Sequence, residues 1–246
     1  MVCGKVLRMQ SERVLRALRA LANPSKAQQL QRFFKTGPGD YAEGDIFLGV
    51  VVPEIRTVAR DFEMLSLSEL RKLIASPIHE ARFCALVILT HRFKKADSEA
   101  EAKRYFDFYM ASLNRRRINN WDLIDVSAPT LGQFLLGEKN YLAKLRTMAA
   151  SDDLWIRRAA ILFTFASLRI GDTKPTLIIS RALLRDEHDL MHKAVGWALR
   201  EVGKLNPNQL RDFLDKHGKT MSRTTLRYAI EKFSAAERKR WLEQTR

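Results

Sequence analysis

Arg117-Ile118-Asn119-Asn120-Trp121-Asp122-Leu123-Ile124-Asp125 is the stretch on which the reading of the chain turns. As a helix it sets Trp121 and Asp125 four residues apart on one face. An aromatic plane beside a carboxylate suits neither a solvated face nor a plain apolar core. Taken alone, such a pair is more often a core Trp with a capping or salt-bridged Asp.

The stretch belongs to a series. Arg82-Phe83-Cys84-Ala85-Leu86, Arg157-Arg158-Ala159-Ala160-Ile161 and His192-Lys193-Ala194-Val195-Gly196 align by residue type. Halving the interval between the first two lands a further unit near Asn120, where the chain reads Asn120-Trp121-Asp122-Leu123-Ile124. The four units then recur at steps of roughly 35 to 38 residues, near the low side of HEAT-type helical repeats. Stacked helix pairs of this kind form a curved solenoid with a concave face, and equivalent positions of successive repeats line that face. The expected fold is therefore all-α, an α-solenoid of HEAT-like helix pairs with a basic concave groove, as one domain over residues 1–246.

The flanking segments agree with helices in pairs. Val14, Leu15, Leu18 and Leu21 form one stripe on Ser11 to Ala22. Asn23-Pro24 stops that helix and starts another through Lys35, with Asn23 as cap and Pro24 at the first position. Phe33 and Phe34 fall at least partly in the core. Thr36 to Asp45 is a Gly-rich loop, and Ile46 to Val52 an extended connector. A helix opens at Val52-Pro53 and runs through Phe62, and Ser66 caps the next. His79 to Lys95 is apolar all round through Phe83 to Leu89, the mark of a helix buried between neighbours. Ser98 to Leu113 leads into the basic turn Asn114-Arg115-Arg116-Arg117. The Trp121 helix is expected to end near Ser127, with Pro129 starting or kinking the next piece. Leu154 to Leu168 is expected as one helix, with Asp152 and Asp153 at its positive end. Asn206-Pro207 repeats the Asn-Pro start, and short helices finish the chain near Trp241.

Composition narrows the function classes. Lys and Arg total 43 against 28 Asp and Glu, a net charge of +15 over 246 residues. Such a surface attracts phosphate backbones and anionic membranes alike. No apolar run of about 18 residues indicates a membrane span, and Met1 to Gln10 lacks the apolar core of a signal peptide. Cys3 and Cys84 are too few for a disulfide framework or ligand cluster. An intracellular, reducing location is expected. No nucleotide-binding glycine pattern and no metal-binding His-Glu-x-x-His occurs. His79, His91, His188, His192 and His217 are scattered and read as surface or packing residues. Cys84 reads as buried and inert, and Trp155 as core. Gly196, inside a helix beside Trp197, implies close approach of a neighbouring helix or a ligand, since Gly there costs about 1 kcal/mol relative to Ala.

Three segments carry a resemblance: Trp121-Asp122-Leu123-Ile124-Asp125, Trp155-Ile156-Arg157-Arg158-Ala159-Ala160-Ile161-Leu162-Phe163 and Lys193-Ala194-Val195-Gly196-Trp197-Ala198-Leu199-Arg200-Glu201. Together with Phe47-Leu48-Gly49-Val50 and Pro53-Glu54-Ile55-Arg56, they resemble the AlkD-like DNA alkylation repair glycosylases from about Asn23 to Gly203. The resemblance implies HEAT-like repeats, and hydrolysis of the N-glycosidic bond of N3-methyladenine and N7-methylguanine in double-stranded DNA, initiating base excision repair. It implies Asp125 as the catalytic carboxylate. Trp121 and Trp197 match aromatics that contact the lesion nucleotide, and Arg158 an arginine beside the aspartate and near the DNA backbone, counted with the lesion-contacting residues. Arg200 matches a backbone-contacting cation; Lys193, Arg157 and Arg56 are further candidates for the DNA backbone. No metal or cofactor is implied, no membrane, and a monomer in the cytoplasm (bacterial cytosol or nucleoid) is expected. Val52 stands where some relatives have Thr, and the 36–45 loop is longer than in the shortest ones. The alternative on the same residues is a non-catalytic scaffold for damaged or branched DNA, with a protein-binding HEAT scaffold as a third reading.

Overall fold

A computed structural model describes residues 10–245, so the chain start and Cys3 lie outside it. Nearly all of the described chain is helical, and it divides into two compact units, Met1–Ser127 and Ala128–Arg246.

In the first unit the helices are α1 (Gln10–Ala20), α2 (Pro24–Phe33), α3 (Val52–Asp61), α4 (Leu67–Ile74), α5 (His79–Lys94) and α6 (Glu99–Asn114), before α7 (Trp121–Leu131). Their starts follow local chemistry. Asn23 accepts from the Lys26 N–H at 3.0 Å with Pro24 next in line, Ser66 from Glu69 at 3.3 Å, and Ser98 from Glu101 at 3.2 Å. Helix α5 is the axis of the unit. It is buried from His79 through Thr90 and again at Phe93, with α1, α3, α4 and α6 packed against it. On α1 only Val14 and Leu18 of the expected stripe are fully buried; Leu21 is exposed. Cys84 is buried on α5, and burial pushes its thiol up to about 12, which keeps it protonated and inert.

Residues 46–51 are an extended connector, one residue shorter than expected because Val52 already belongs to α3, with one isolated parallel bridge between Ile46 and Ile78. The buried Glu80 carboxylate replaces the missing sheet partner. It accepts from the N–H groups of Leu48 (3.0 Å), Gly49 (2.8 Å) and Val50 (3.3 Å). Gly49 has φ +83°, and a Cβ there would lie 2.2 Å from the Asn23 carbonyl oxygen, so α2 packs directly onto glycine backbone. Glu80→Ala would leave three N–H groups without their acceptor. A loss of about 2–4 kcal/mol is expected, read as a lowered urea midpoint; an unchanged midpoint would show that water replaces the carboxylate at no cost.

In the second unit a 3₁₀ turn (Gly132–Gly137) precedes α8 (Tyr141–Ala149), α9 (Leu154–Phe163), α10 (Phe165–Arg169), α11 (Lys174–Ala182), α12 (Asp189–Leu205), α13 (Pro207–His217), α14 (Arg223–Ala229) and α15 (Ala235–Gln244). Asn206 caps α13 through the Gln209 N–H at 3.1 Å, and Trp155 is buried as expected. Helices α12 and α14 pack closely at Gly196. A Cβ there would meet Tyr228 Cβ at 2.5 Å and the Thr225 carbonyl oxygen at 2.7 Å. The glycine is thus a helix-packing residue, the first of its two sequence readings.

Three expectations are corrected. The Trp121 helix does not stop near Ser127 but runs through Pro129 to Leu131. Pro129 brings no N–H to the carbonyl four residues earlier, that of Asp125, yet the helix continues because both Pro129 and its neighbours from Ser127 to Leu131 are buried and held by packing. The stretch 154–168 breaks at Thr164, whose hydroxyl donates to the Ile161 carbonyl at 2.6 Å and competes with the helical ladder. Phe33 is 64% exposed, and of the pair only Phe34 is core.

Candidate active site

The first turns of α7 divide cleanly into two faces. Leu123, Ile124 and Ser127 are buried, while Trp121, Asp122, Asp125 and Val126 stay partly open. The 3.6-residue period puts Trp121 and Asp125 on the same open face, as the sequence suggests.

Trp121 is not a free indole. It stacks on Phe34 with centroids 5.3 Å apart and planes within 9°, and Phe33 meets it edge-on at 6.1 Å. The stack continues from Phe34 to Phe47 at 4.9 Å and from Phe47 to the His79 ring at 4.4 Å. The Asp125 charge acts on the buried Tyr109. Burial first, and the Asp125 charge in addition, raise the Tyr109 hydroxyl well above an ordinary tyrosine, while a hydrogen bond with Ser127 opposes this.

Beneath the open face lies a buried charge network. His79 Nε2 is 2.8 Å from Asp122 Oδ2 and His79 Nδ1 is 3.0 Å from Asp45 Oδ2. Arg82 pairs with Asp45 and donates to Asn119 Oδ1. Asn120 donates to Asp45 at 3.4 Å and accepts from the Trp121 N–H at 2.8 Å. A neutral imidazole has one N–H, so a carboxylate at each ring nitrogen calls for the charged form. Burial is the largest influence on His79 and disfavours that charge. Asp122 and Asp45 together outweigh it, and the ring is raised to about 9. For Asp45, burial pushes up but the hydrogen bond from His79 and the Arg82 charge win, and the carboxyl lies below its usual range.

Sequence reasoning missed this network. His79 passed for a packing residue and Asp45 for part of a plain loop. The available signal was His79-Glu80-x-Arg82 in the first turn of an otherwise apolar helix: charged groups forced into the interior need partners.

The remaining site candidates occupy their own surroundings. Arg56 is exposed on α3. In the second unit, Lys193, Trp197 and Arg200 form a partly exposed stripe along α12. Lys193 pairs with Asp189 at 2.6 Å; Trp197 donates to Glu201 at 3.1 Å and meets Phe165 edge-on at 4.8 Å; Arg200 pairs with Glu231. Arg157 reaches Asp186 at 2.6 Å and the carbonyls of Ser151 and Asp152 at 2.9 and 3.0 Å. Arg158 is 4% exposed and donates to the Leu190 carbonyl at 2.6 Å. A DNA phosphate would have to displace Asp186 to take Arg157, and would find Arg158 inside the protein. Arg157 is thus tied to the segment before α12, and one arm of Arg158 to the first turn of that helix.

The nearly all-helical fold is one that known proteins share. The model of the DNA alkylation repair enzyme family matches residues 14–233, and the chain belongs to this family. Among solved structures it is similar to a predicted DNA alkylation repair enzyme from Enterococcus faecalis, with 16% identity and a TM-score of 0.66 over 87% of this chain and 97% of that one. It is also similar to AlkD2 from Streptococcus mutans, with 18% identity and a TM-score of 0.55 over 93% and 99% of the two chains. No curated protein shows significant similarity to it. Among the described residues no helix is long and apolar enough to cross a membrane.

Proposed function

We propose that the protein is a monofunctional DNA glycosylase for cationic alkylpurines such as N3-methyladenine and N7-methylguanine in double-stranded DNA, with Asp125 as its catalytic carboxylate. The observation that carries this reading is the open face of α7, where Asp125 sits one helical turn beyond an indole already fixed by stacking. Family membership supplies the context of alkylation repair.

The chemistry asks little of a protein. An alkylated purine with a formal positive charge leaves as a neutral base when the C1′–N bond breaks, and the bonding pair goes to the base. No general acid is needed, in contrast to the paired carboxylates of ordinary glycoside hydrolysis. The sugar becomes oxocarbenium-like, and the Asp125 carboxylate stabilises that charge. Water adds at C1′ and its proton passes to the carboxylate or to solvent. Trp121 is partly exposed, and its ring face away from Phe34 adds a cation–π contribution of roughly 0.5–2 kcal/mol for a charged base or sugar. The α12 stripe of Lys193, Trp197 and Arg200 and the exposed Arg56 are proposed as DNA contacts, in a monomer without metal or cofactor and at a cytoplasmic location.

Leaving-group charge is the test. Duplexes carrying N7-methylguanine and hypoxanthine, a neutral lesion, are compared in single-turnover assays. Excision of the cationic base and at least about 100-fold slower release of the neutral one are expected, the missing leaving-group charge being worth more than the roughly 3 kcal/mol that this factor represents. Equal rates would mean that another group protonates the leaving base. Tight binding with no release of either base would favour the non-catalytic scaffold.

A further inference from the structure

We propose that His79, bridging Asp45 and Asp122, is a positioning residue that fixes the first turn of α7 and the plane of Trp121. This inference rests on the glycosylase reading for its kinetic consequence but not for its structural one.

His79 reaches Trp121 by two independent routes. Through hydrogen bonds, it holds Asp122, the residue next to Trp121, at 2.8 Å, and Asp45, which also accepts from Asn120 at the helix start. Through ring contacts, it lies 4.4 Å from Phe47 and 5.1 Å from Phe34, and Phe34 is the ring on which Trp121 stacks. The linkage joins three segments far apart in sequence: the 36–45 loop, the start of α5 and the start of α7. A buried charged group has few alternative arrangements, because any that unpairs it leaves a charge in a low-dielectric interior. The bridge therefore selects one orientation of α7 and, with it, the direction of Asp125. Geometry of this kind matters to rate more than to affinity: a misplacement of about 1 Å costs on the order of 100-fold.

The charged groups against His79 are Asp45 from the loop, Asp122 from α7 and Arg82 from its own helix; Phe34 and Phe47 meet its ring. The sign follows from the raised proton affinity. The bridge is complete below the ordinary histidine range and is lost as pH rises through about 9.

Two variants test this. His79→Phe removes the bridge and keeps an aromatic ring. Asp122→Asn keeps an acceptor for His79 on a partly exposed residue, removes the charge, and carries less risk of unfolding. Both are expected to lower the single-turnover excision rate by about 10- to 100-fold with DNA affinity within about threefold of wild type. Asp122→Asn is also expected to move the alkaline limb of the wild-type pH–rate profile, near pH 9, to lower pH. Wild-type rates and pH profiles in both variants would overturn the proposal.

A second readout does not depend on activity. In protein labelled with 5-fluorotryptophan, the Trp121 fluorine signal, assigned by its loss in Trp121→Phe, is expected to shift with a midpoint near pH 9, and not to do so in His79→Phe. A Trp121 signal unmoved from pH 7 to 10 would overturn the linkage. If the wild type releases no base yet this signal titrates, the glycosylase reading fails and the positioning role stands.

Discussion

Asp125→Asn is expected to lower excision of N7-methylguanine by about 10²–10³-fold, the scale on which a single preorganised electrostatic contact acts at a transition state. DNA affinity, followed by fluorescence anisotropy, is expected to hold or rise slightly, because a negative charge beside a phosphate backbone is removed. This separation distinguishes a carboxylate that acts on the developing sugar cation from one that merely supports α7. Asn is nearly isosteric, so the helix face and the stacked Trp121 are retained. Asp125 is partly open on α7, and the Asn side chain keeps one oxygen acceptor in its place. Loss of binding in parallel with rate would instead assign Asp125 to the fold.

Gly196→Val is expected to produce the largest loss of stability. Even Ala would place a Cβ 2.7 Å from the Thr225 carbonyl oxygen and 2.5 Å from Tyr228 Cβ. The first contact is with backbone, which cannot rotate away, so α14 has to move off α12. Overpacking typically costs 1–3 kcal/mol, and a branched side chain against backbone at the centre of the main helix pair of the unit is expected at about 3 kcal/mol or above. Urea unfolding monitored by circular dichroism checks this. Because Trp197 and Arg200 are carried on the same helix, the destabilised protein is also expected to bind DNA more weakly. A midpoint equal to wild type would show that α12 and α14 are not packed as described.

The sequence conveyed some of this architecture and withheld some of it, for physical reasons. Helix starts were legible at Asn23, Ser66, Ser98 and Asn206, because a cap is a contact between residues three apart in sequence. The burial of α5 was legible because its apolar residues run all round the helix. The helix through Pro129 was not, since packing overrides the local cost of proline there. The face carrying Trp121 and Asp125 followed from helical period alone. The His79 bridge did not, because its partners lie 34 and 43 residues away and only the fold brings them together. The same holds for Arg157, which reads as a surface cation in sequence but finds Asp186, 29 residues away, in the fold.

The most direct test of the central claim is quantification of free N7-methylguanine released from a defined duplex by the wild-type protein, with Asp125→Asn in parallel. Time-dependent appearance of free base with the wild type and about 10²–10³-fold less with the variant is the predicted result. Equal release by the two proteins, or no release by the wild type above the spontaneous rate, would contradict it.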